Sequence, residues 1–160
     1  MNEYLPVFKI NEGDLFPQDI FVNELGEEIK LSELHQKWIA LFFYPQDNTP
    51  TCTKEACNLR DNFEILKQDS ISIFGISPDG EKSHQKFIKK FKLPYSLLID
   101  EDHQLASKLG IWGTKKFMGQ VYQGLHRVTV ILNHELRVHK LIHPVDSGNH
   151  AEQIRQNIQS

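Results

Sequence analysis

The sequence predicts a single α/β domain spanning residues 1–160, a sandwich on a central mixed sheet with an N-terminal hairpin extension. Three observations lead there. Trp38-Ile39-Ala40-Leu41-Phe42-Phe43 is a continuous apolar run with aromatics, the pattern of a strand covered on both faces. Strand-like and helix-like stretches then alternate at the spacing of parallel crossover units. Further on, residues 128–132 and 136–142 flank the polar Asn133-His134-Glu135, which reads as an antiparallel hairpin. The length of 160 residues suits one domain and is enough to bury a sizeable core.

The first 37 residues hold short strand-like pieces: Ile20-Phe21-Val22, a polar turn around Glu24-Leu25-Gly26-Glu27, and a second apolar start at Ile29. Ser32 is expected to cap a brief helix before Trp38. After the apolar run, residues 44–57 open a helix that the pattern carries to about Gln68. Thr49 is a good N-cap and Pro50 suits the first helical position, where a missing N–H costs nothing. Cys52, Ala56, Leu59, Phe63 and Leu66 then form one core-facing stripe.

Residues 71–76 are rich in β-branched and aromatic side chains and form the next strand. Ser77-Pro78-Asp79-Gly80 is turn chemistry, and Asp79 or Ser77 is placed to cap a helix carrying Phe87, Ile88 and Phe91. Leu93-Pro94 stops that helix. Leu97-Leu98-Ile99 is a short strand ending at Asp100, followed by a helix from near His103 to Leu109 that Gly110 terminates in the left-handed conformation. Residues 111–124 contain glycine and show no clean period, so they read as a loop. A final helix at 148–158 carries Ala151, Ile154 and Ile158. No repeat, linker or low-complexity segment is apparent.

A net charge of −3 with interspersed signs gives no basic face for nucleic acid and no polybasic membrane patch. Lys89-Lys90 and Lys115-Lys116 read as solvated surface. The start, Met1-Asn2-Glu3-Tyr4, has no basic region followed by an apolar one, and the longest apolar runs fall far short of a bilayer span. A soluble, cytoplasmic protein is the expectation. His134, His139 and His143 alternate along a strand and turn, which suits surface or packing roles over metal ligation. The absence of C-x-x-C, a glycine-rich phosphate loop and a Ser-His-Asp order argues against a general disulfide oxidoreductase, a nucleotide enzyme and a triad hydrolase. No cofactor or metal is called for.

The chemistry concentrates on two cysteines, Cys52 and Cys57, the full complement of the chain. In a reducing cytosol such a pair points to catalysis or redox activity more than to structure. Cys52 in the first helical turn lies among unpaired amide donors and the positive end of the helix dipole, and both favour a thiolate, the nucleophilic form. Five residues along a helix place Cα atoms about 8 to 9 Å apart and roughly 140° around the axis. A disulfide needs about 7 Å or less. If the two cysteines bond, the first turns of the helix must unwind.

Pro45-x-x-x-Thr49-x-x-Cys52 resembles the P-x-x-x-T/S-x-x-C signature of peroxiredoxins, and Asp47-Asn48-Thr49-Pro50 with Cys57 resembles the bacterioferritin-comigratory, or Q-type, subfamily. A second segment, from Lys115-Lys116 through Gly119, Tyr122 and Gly124 to Arg127-Val128-Thr129, is similar to the family region that carries its active-site arginine. The likeness covers most of the chain, roughly Leu5 to the final helix. Thr51 departs from it, standing where the subfamily usually has glycine; a β-branched residue there changes the backbone or the access. The resemblance implies a thioredoxin-like fold and a thiol peroxidase, with Cys52 attacking a hydroperoxide to give a sulfenic acid and Cys57 resolving it as an intramolecular disulfide. It further implies a hydroxyl from Thr49, a guanidinium from Arg127, shielding by Pro45, recycling by thioredoxin or a similar dithiol protein, and a monomer. Read from residues alone, Arg127 also suits a strand-edge ion pair, Thr49 a plain helix cap and Cys57 a passive helix position. A thioredoxin-like exchange protein and a non-enzymatic redox sensor are the alternative readings of the whole.

Overall fold

The computed structural model describes residues 4–159; Met1–Glu3, on which part of the leader reading rests, lie outside the described residues. In chain order the strands are β1 (Phe21–Val22), β2 (Glu28–Ile29), β3 (Trp38–Phe43), β4 (Ile71–Ser77), β5 (Leu97–Ile99), β6 (Trp112–Phe117), β7 (Gln120–Leu125), β8 (Val128–Leu132) and β9 (Val138–Ile142). The helices are α1 (Pro50–Asp61), α2 (Phe63–Gln68), α3 (Glu81–Phe91), α4 (Gln104–Leu109) and α5 (His150–Gln159), with short 3-10 turns at Leu31–Glu33, Glu101–His103 and Ser147–Asn149.

Five strands form the central mixed sheet in the order β5-β4-β3-β8-β9. β3 is parallel to β4, and β4 to β5, while β8 runs antiparallel to both β3 and β9. β1 and β2 make the expected N-terminal hairpin, tied to the sheet by a bridge between Asn23 and Leu98. The apolar run of β3 is the middle strand and is covered on both faces, as its composition predicts. Ile39, Leu41 and Phe43 enter one core with Phe16, Phe21, Leu105 and Leu109. Ala40 and Phe42 enter the other with Cys52, Ala56, Leu59, Leu66, Phe87 and Ile154. Each fully buried Leu, Ile or Phe side chain among them contributes roughly 1.5–3 kcal/mol of apolar burial.

Several boundaries differ from the sequence reading. The helix expected to run to Gln68 breaks at Asn62, whose backbone leaves the helical region (φ −110°, ψ 15°) while its side-chain amide donates to Asn58 O at 2.8 Å. A self-capping asparagine competes locally with the helix. Ser32 lies inside its 3-10 turn and Lys30 precedes it, without a side-chain cap. Gly80 is the N-cap of α3, without a side-chain cap, because the Asp79 carboxylate is taken by Asp47 N–H and the Ser77 hydroxyl. Residues 111–124 are not a loop. They form most of the β6–β7 hairpin, closed by Met118 and Gly119, both at positive φ (49° and 81°), the geometry of a two-residue hairpin turn. The hairpin lies outside the central sheet, with β7 mostly exposed and β6 half-buried to exposed, so no fully buried face imposes a readable alternation.

Candidate active site

β3 ends at the carboxyl edge of the sheet, and residues 44–49 lead from it into α1. The loop is anchored by Asp47, a nearly buried carboxylate. Its Oδ1 accepts from Tyr44 OH at 2.6 Å, and its Oδ2 accepts from the Ser83 hydroxyl at 2.8 Å and faces His84 Nδ1 at 2.7 Å. His84 is fully buried and Nε2 is 3.0 Å from Leu98 O, so both ring nitrogens point at acceptors. Burial works against the imidazolium, but the Asp47 hydrogen bond and charge outweigh it and the pKa of His84 is raised. Asp47, Asp79 and His84 lie close enough to suggest a cation site. Their atoms are instead committed to one another and to Tyr44, Ser77 and Ser83, which makes the cluster a clamp on the loop.

Pro50 is the first residue of α1 and Thr49 its N-cap, as the sequence predicts, yet the Thr49 side chain makes no capping bond. Its hydroxyl donates to Gln46 O at 3.0 Å, back into the loop. Cys52 follows in the first turn and is 1% exposed. Thr51 is exposed in that same turn, a backbone conformation open to a β-branched residue.

Arg127 reaches this thiol from far along the chain because β8 is antiparallel to β3. Phe43 pairs with Val128, so the residue before β8 arrives where β3 ends. Arg127 Nη2 is 3.2 Å from Cys52 Sγ, and Nη1 donates to Glu55 Oε1 at 2.8 Å. Burial opposes the guanidinium charge, but Glu55 and Cys52 together hold it above its ordinary range. Glu55, one turn beyond Cys52, has a fully buried side chain. Burial lifts its pKa to about 7 against the opposing pull of Arg127. Cys57 is half-buried on α1, and both cysteines are free thiols. Pro45 is half-buried beside Tyr44.

The sequence profile of the AhpC/TSA family matches residues 3–141. The chain belongs to that family. It is 40% identical over 149 residues to peroxiredoxin Bcp of Bacillus subtilis, covering 93% of this chain and 95% of the relative. Against peroxiredoxin Bcp of Escherichia coli K12 it is 34% identical over 143 residues, covering 89% and 92%. Peroxidoxin BcpB from Mycobacterium tuberculosis superposes with a TM-score of 0.81 at 27% identity, covering 94% of this chain and 97% of that one. A PrxQ mutant from Xylella fastidiosa has the same fold, with a TM-score of 0.85 at 24% identity over 94% and 96% of the two chains. The protein is therefore a peroxiredoxin, a thiol peroxidase with a thioredoxin-like fold. Among the described residues no helix is long and apolar enough to cross a membrane.

Three groups around the thiol of this peroxiredoxin escaped the sequence reading. Lys115 is not solvated surface: it is half-buried, its Nζ donates to Leu125 O at 2.8 Å, and burial, then Arg127, lowers its pKa. Glu55 was visible as a charge next to the stripe formed by Cys52, Ala56 and Leu59, an anomaly that asks for a buried partner. His150 had no such signal, because its contacts with Thr129 and Glu55 join α5 to β8 and α1. Of the histidines read as packing residues, His139 lies with its ring centroid 4.6 Å from that of Trp38, and His143 lies 6.3 Å from His126.

Proposed function

We propose that Cys52 is the peroxidatic cysteine and Cys57 the resolving one, in the reduction of hydrogen peroxide and organic hydroperoxides. One observation carries the reading: a guanidinium fixed by the buried carboxyl group of Glu55 lies 3.2 Å from a thiol in the first turn of a helix. The sulfur lone pair attacks the terminal oxygen of the hydroperoxide; an S–O bond forms, the O–O bond breaks, and the leaving oxygen takes up a proton as alcohol or water. Fixed donors matter here because lowering a thiol pKa also reduces its nucleophilicity, so ionisation alone does not supply the rate. Arg127 stabilises negative charge on both sulfur and leaving oxygen. Thr49 has given its hydrogen to Gln46 O, so its oxygen is free to accept the hydroperoxide proton and orient the substrate. Pro45 limits water at the thiolate.

The Cys57 thiol then attacks the Cys52 sulfenic acid; the S–S bond forms, the S–O bond breaks, and the hydroxyl leaves as water with the proton that the thiol gives up. Both residues lie on α1, so this step requires α1 to unwind. A dithiol protein such as thioredoxin returns the enzyme to its starting state by taking the disulfide onto its own pair of thiols. A monomer acting in a reducing cytoplasm, with no nucleic-acid or membrane partner, completes the reading. The test is steady-state peroxide consumption with thioredoxin, alongside mass mapping of the oxidised chain. Expected are loss of turnover in Cys52→Ser, one round of oxidation with impaired recycling in Cys57→Ser, and a Cys52–Cys57 linkage in the parent. Turnover that survives Cys52→Ser rules the mechanism out.

A further inference from the structure

The Glu55 carboxyl has two oxygens, and the contact with Arg127 uses one of them. The other, Oε2, is buried without a hydrogen-bond partner, and His150 Nε2 is 3.4 Å away. His150 opens α5 and its side chain is fully buried. Its Nδ1 is 2.8 Å from Gln153 Oε1 and its Nε2 is 2.7 Å from Thr129 Oγ1. Gln153 Oε1 also accepts from Asp146 N–H at 2.9 Å, while Gln153 Nε2 donates to Pro144 O, so the amide orientation is fixed and Oε1 is an acceptor. These partners assign the proton to His150 Nδ1.

With Nδ1–H committed, Nε2 has two states. Unprotonated, it is an acceptor, facing the Thr129 hydroxyl and the acid form of Glu55, and offers no donor to the ionised carboxylate. Protonated, it becomes a donor toward Glu55 Oε2 and stabilises the ionised carboxylate. Burial keeps the imidazole neutral, its pKa pushed down to about 4, and the same burial favours the acid form of Glu55. Resting on the assignment of Cys52 and Arg127 above, we propose that His150 is a positioning residue which, through Glu55, sets how much of the Arg127 charge is directed at Cys52. While Glu55 holds a proton, Arg127 faces a neutral carboxyl on one side and the sulfur on the other. Once Glu55 ionises, the guanidinium is shared between two anions and the sulfur loses part of its stabilisation.

The charged and titratable groups facing this pair are Arg127 before β8, Tyr95 before β5 and Asp146 before α5, while Cys52 on α1 and Lys115 on β6 face Arg127 in turn. Gln153→Glu places a carboxylate on His150 Nδ1 from the half-buried side of α5, which favours the imidazolium and, through it, ionised Glu55. His150→Gln offers an amide N–H to Oε2 directly. In single-turnover oxidation of the reduced protein by hydrogen peroxide just below neutral pH, each variant is expected to react about tenfold more slowly than the parent. The carbonyl infrared band of a buried protonated carboxyl, present in the parent and absent in Glu55→Gln, is expected to vanish in both. Parental rates overturn the proposal, as does a slow variant that keeps the band, because that loss would be structural. Should Cys52→Ser itself still consume peroxide, the underlying mechanism falls; with Cys52 essential and the variants parental, this inference fails alone.

Discussion

Arg127 Nη1 donates to Glu55 Oε1 at 2.8 Å although 72 residues separate the two in the chain. The pair aims the second guanidinium nitrogen at the thiol, and the fork geometry of arginine is what lets one side chain serve carboxylate and sulfur together. Arg127→Lys keeps the charge and loses the fork. It is expected to fold and to lower the rate of Cys52 oxidation by about 10²-fold, the usual cost of one preorganised donor. Stopped-flow oxidation of the reduced variant checks this; a rate within about twofold of the parent would remove Arg127 from the mechanism.

The same buried carboxyl shapes stability against pH. Glu55 has a folded pKa of about 7 against 4.5 for the free group, so its favourable contribution is complete below 4.5 and is lost as pH rises through 7. His150 is shifted the other way, from 6.5 to about 4; its contribution is complete above 6.5 and is lost as pH falls through 4. Between 4.5 and 6.5 the two trends oppose each other in the parent. Glu55→Gln leaves the histidine trend unopposed, and urea unfolding of that variant should show stability dropping more steeply on acidification than in the parent. Parallel curves would mean that the two groups do not titrate as assigned.

Asp47 and His84 provide a second pH-dependent contact, on the loop that carries Thr49. The raised pKa of His84 means its ion pair stabilises the fold below pH 6.5, and that contribution is lost as pH rises through the folded value. Asp47→Asn leaves a buried imidazolium without its counter-charge and is expected to cost about 3 kcal/mol at mildly acidic pH. The difference from the parent should shrink on raising the pH, because His84 then unfolds and folds neutral. A constant difference across the range would show that the carboxylate acts only as a hydrogen-bond acceptor.

Much of this was legible in the residues. β3 announced itself by an unbroken apolar run, and the Thr49-Pro50 start of α1 by capping chemistry, because both depend on local sequence and on burial of whole faces. The break at Asn62 was not, since one side-chain bond to Asn58 O decides it. Nor was the β6–β7 hairpin, which has little buried face to impose a period and closes on Met118-Gly119 rather than the commoner Asn-Gly. The family motifs pointed to Arg127, but its seat beside Cys52 follows from the β3–β8 register, and Glu55, His150 and Lys115 meet there only through tertiary packing.

Gly75 offers a test of the layer beneath the site. A Cβ built there would lie 2.7 Å from Leu97 Cδ2, 2.8 Å from Phe42 and 3.0 Å from Tyr44, all buried neighbours on one face of the sheet. Gly75→Ala therefore overpacks the core under the Tyr44–Asp47 contact and is expected to destabilise the protein by roughly 1–3 kcal/mol. Denaturant midpoints measure it, with an unchanged m-value expected if only the native state is affected.

Asn58 adjoins Cys57 and ties the middle of α1 to the C-terminal helix: its Oδ1 accepts from Ala151 N–H at 2.8 Å and its Nδ2 donates to Gly148 O at 3.0 Å. In the resolving step proposed above, a disulfide between two positions of one helix forms only after that helix opens, and on that reading these two bonds add to its barrier. Asn58→Ala removes both and leaves the thiols and Arg127 in place. It is expected to lower stability by about 1–2 kcal/mol and, if the tether breaks before the sulfurs meet, to speed disulfide formation by up to about tenfold. The initial oxidation of Cys52 should keep its parental rate. Quenching the reaction at intervals after one equivalent of peroxide, then counting free thiols by mass, separates the two steps. A variant that is less stable yet closes its disulfide at the parental rate would place the opening of α1 elsewhere, in the first turn around Cys52 rather than at the contact with α5.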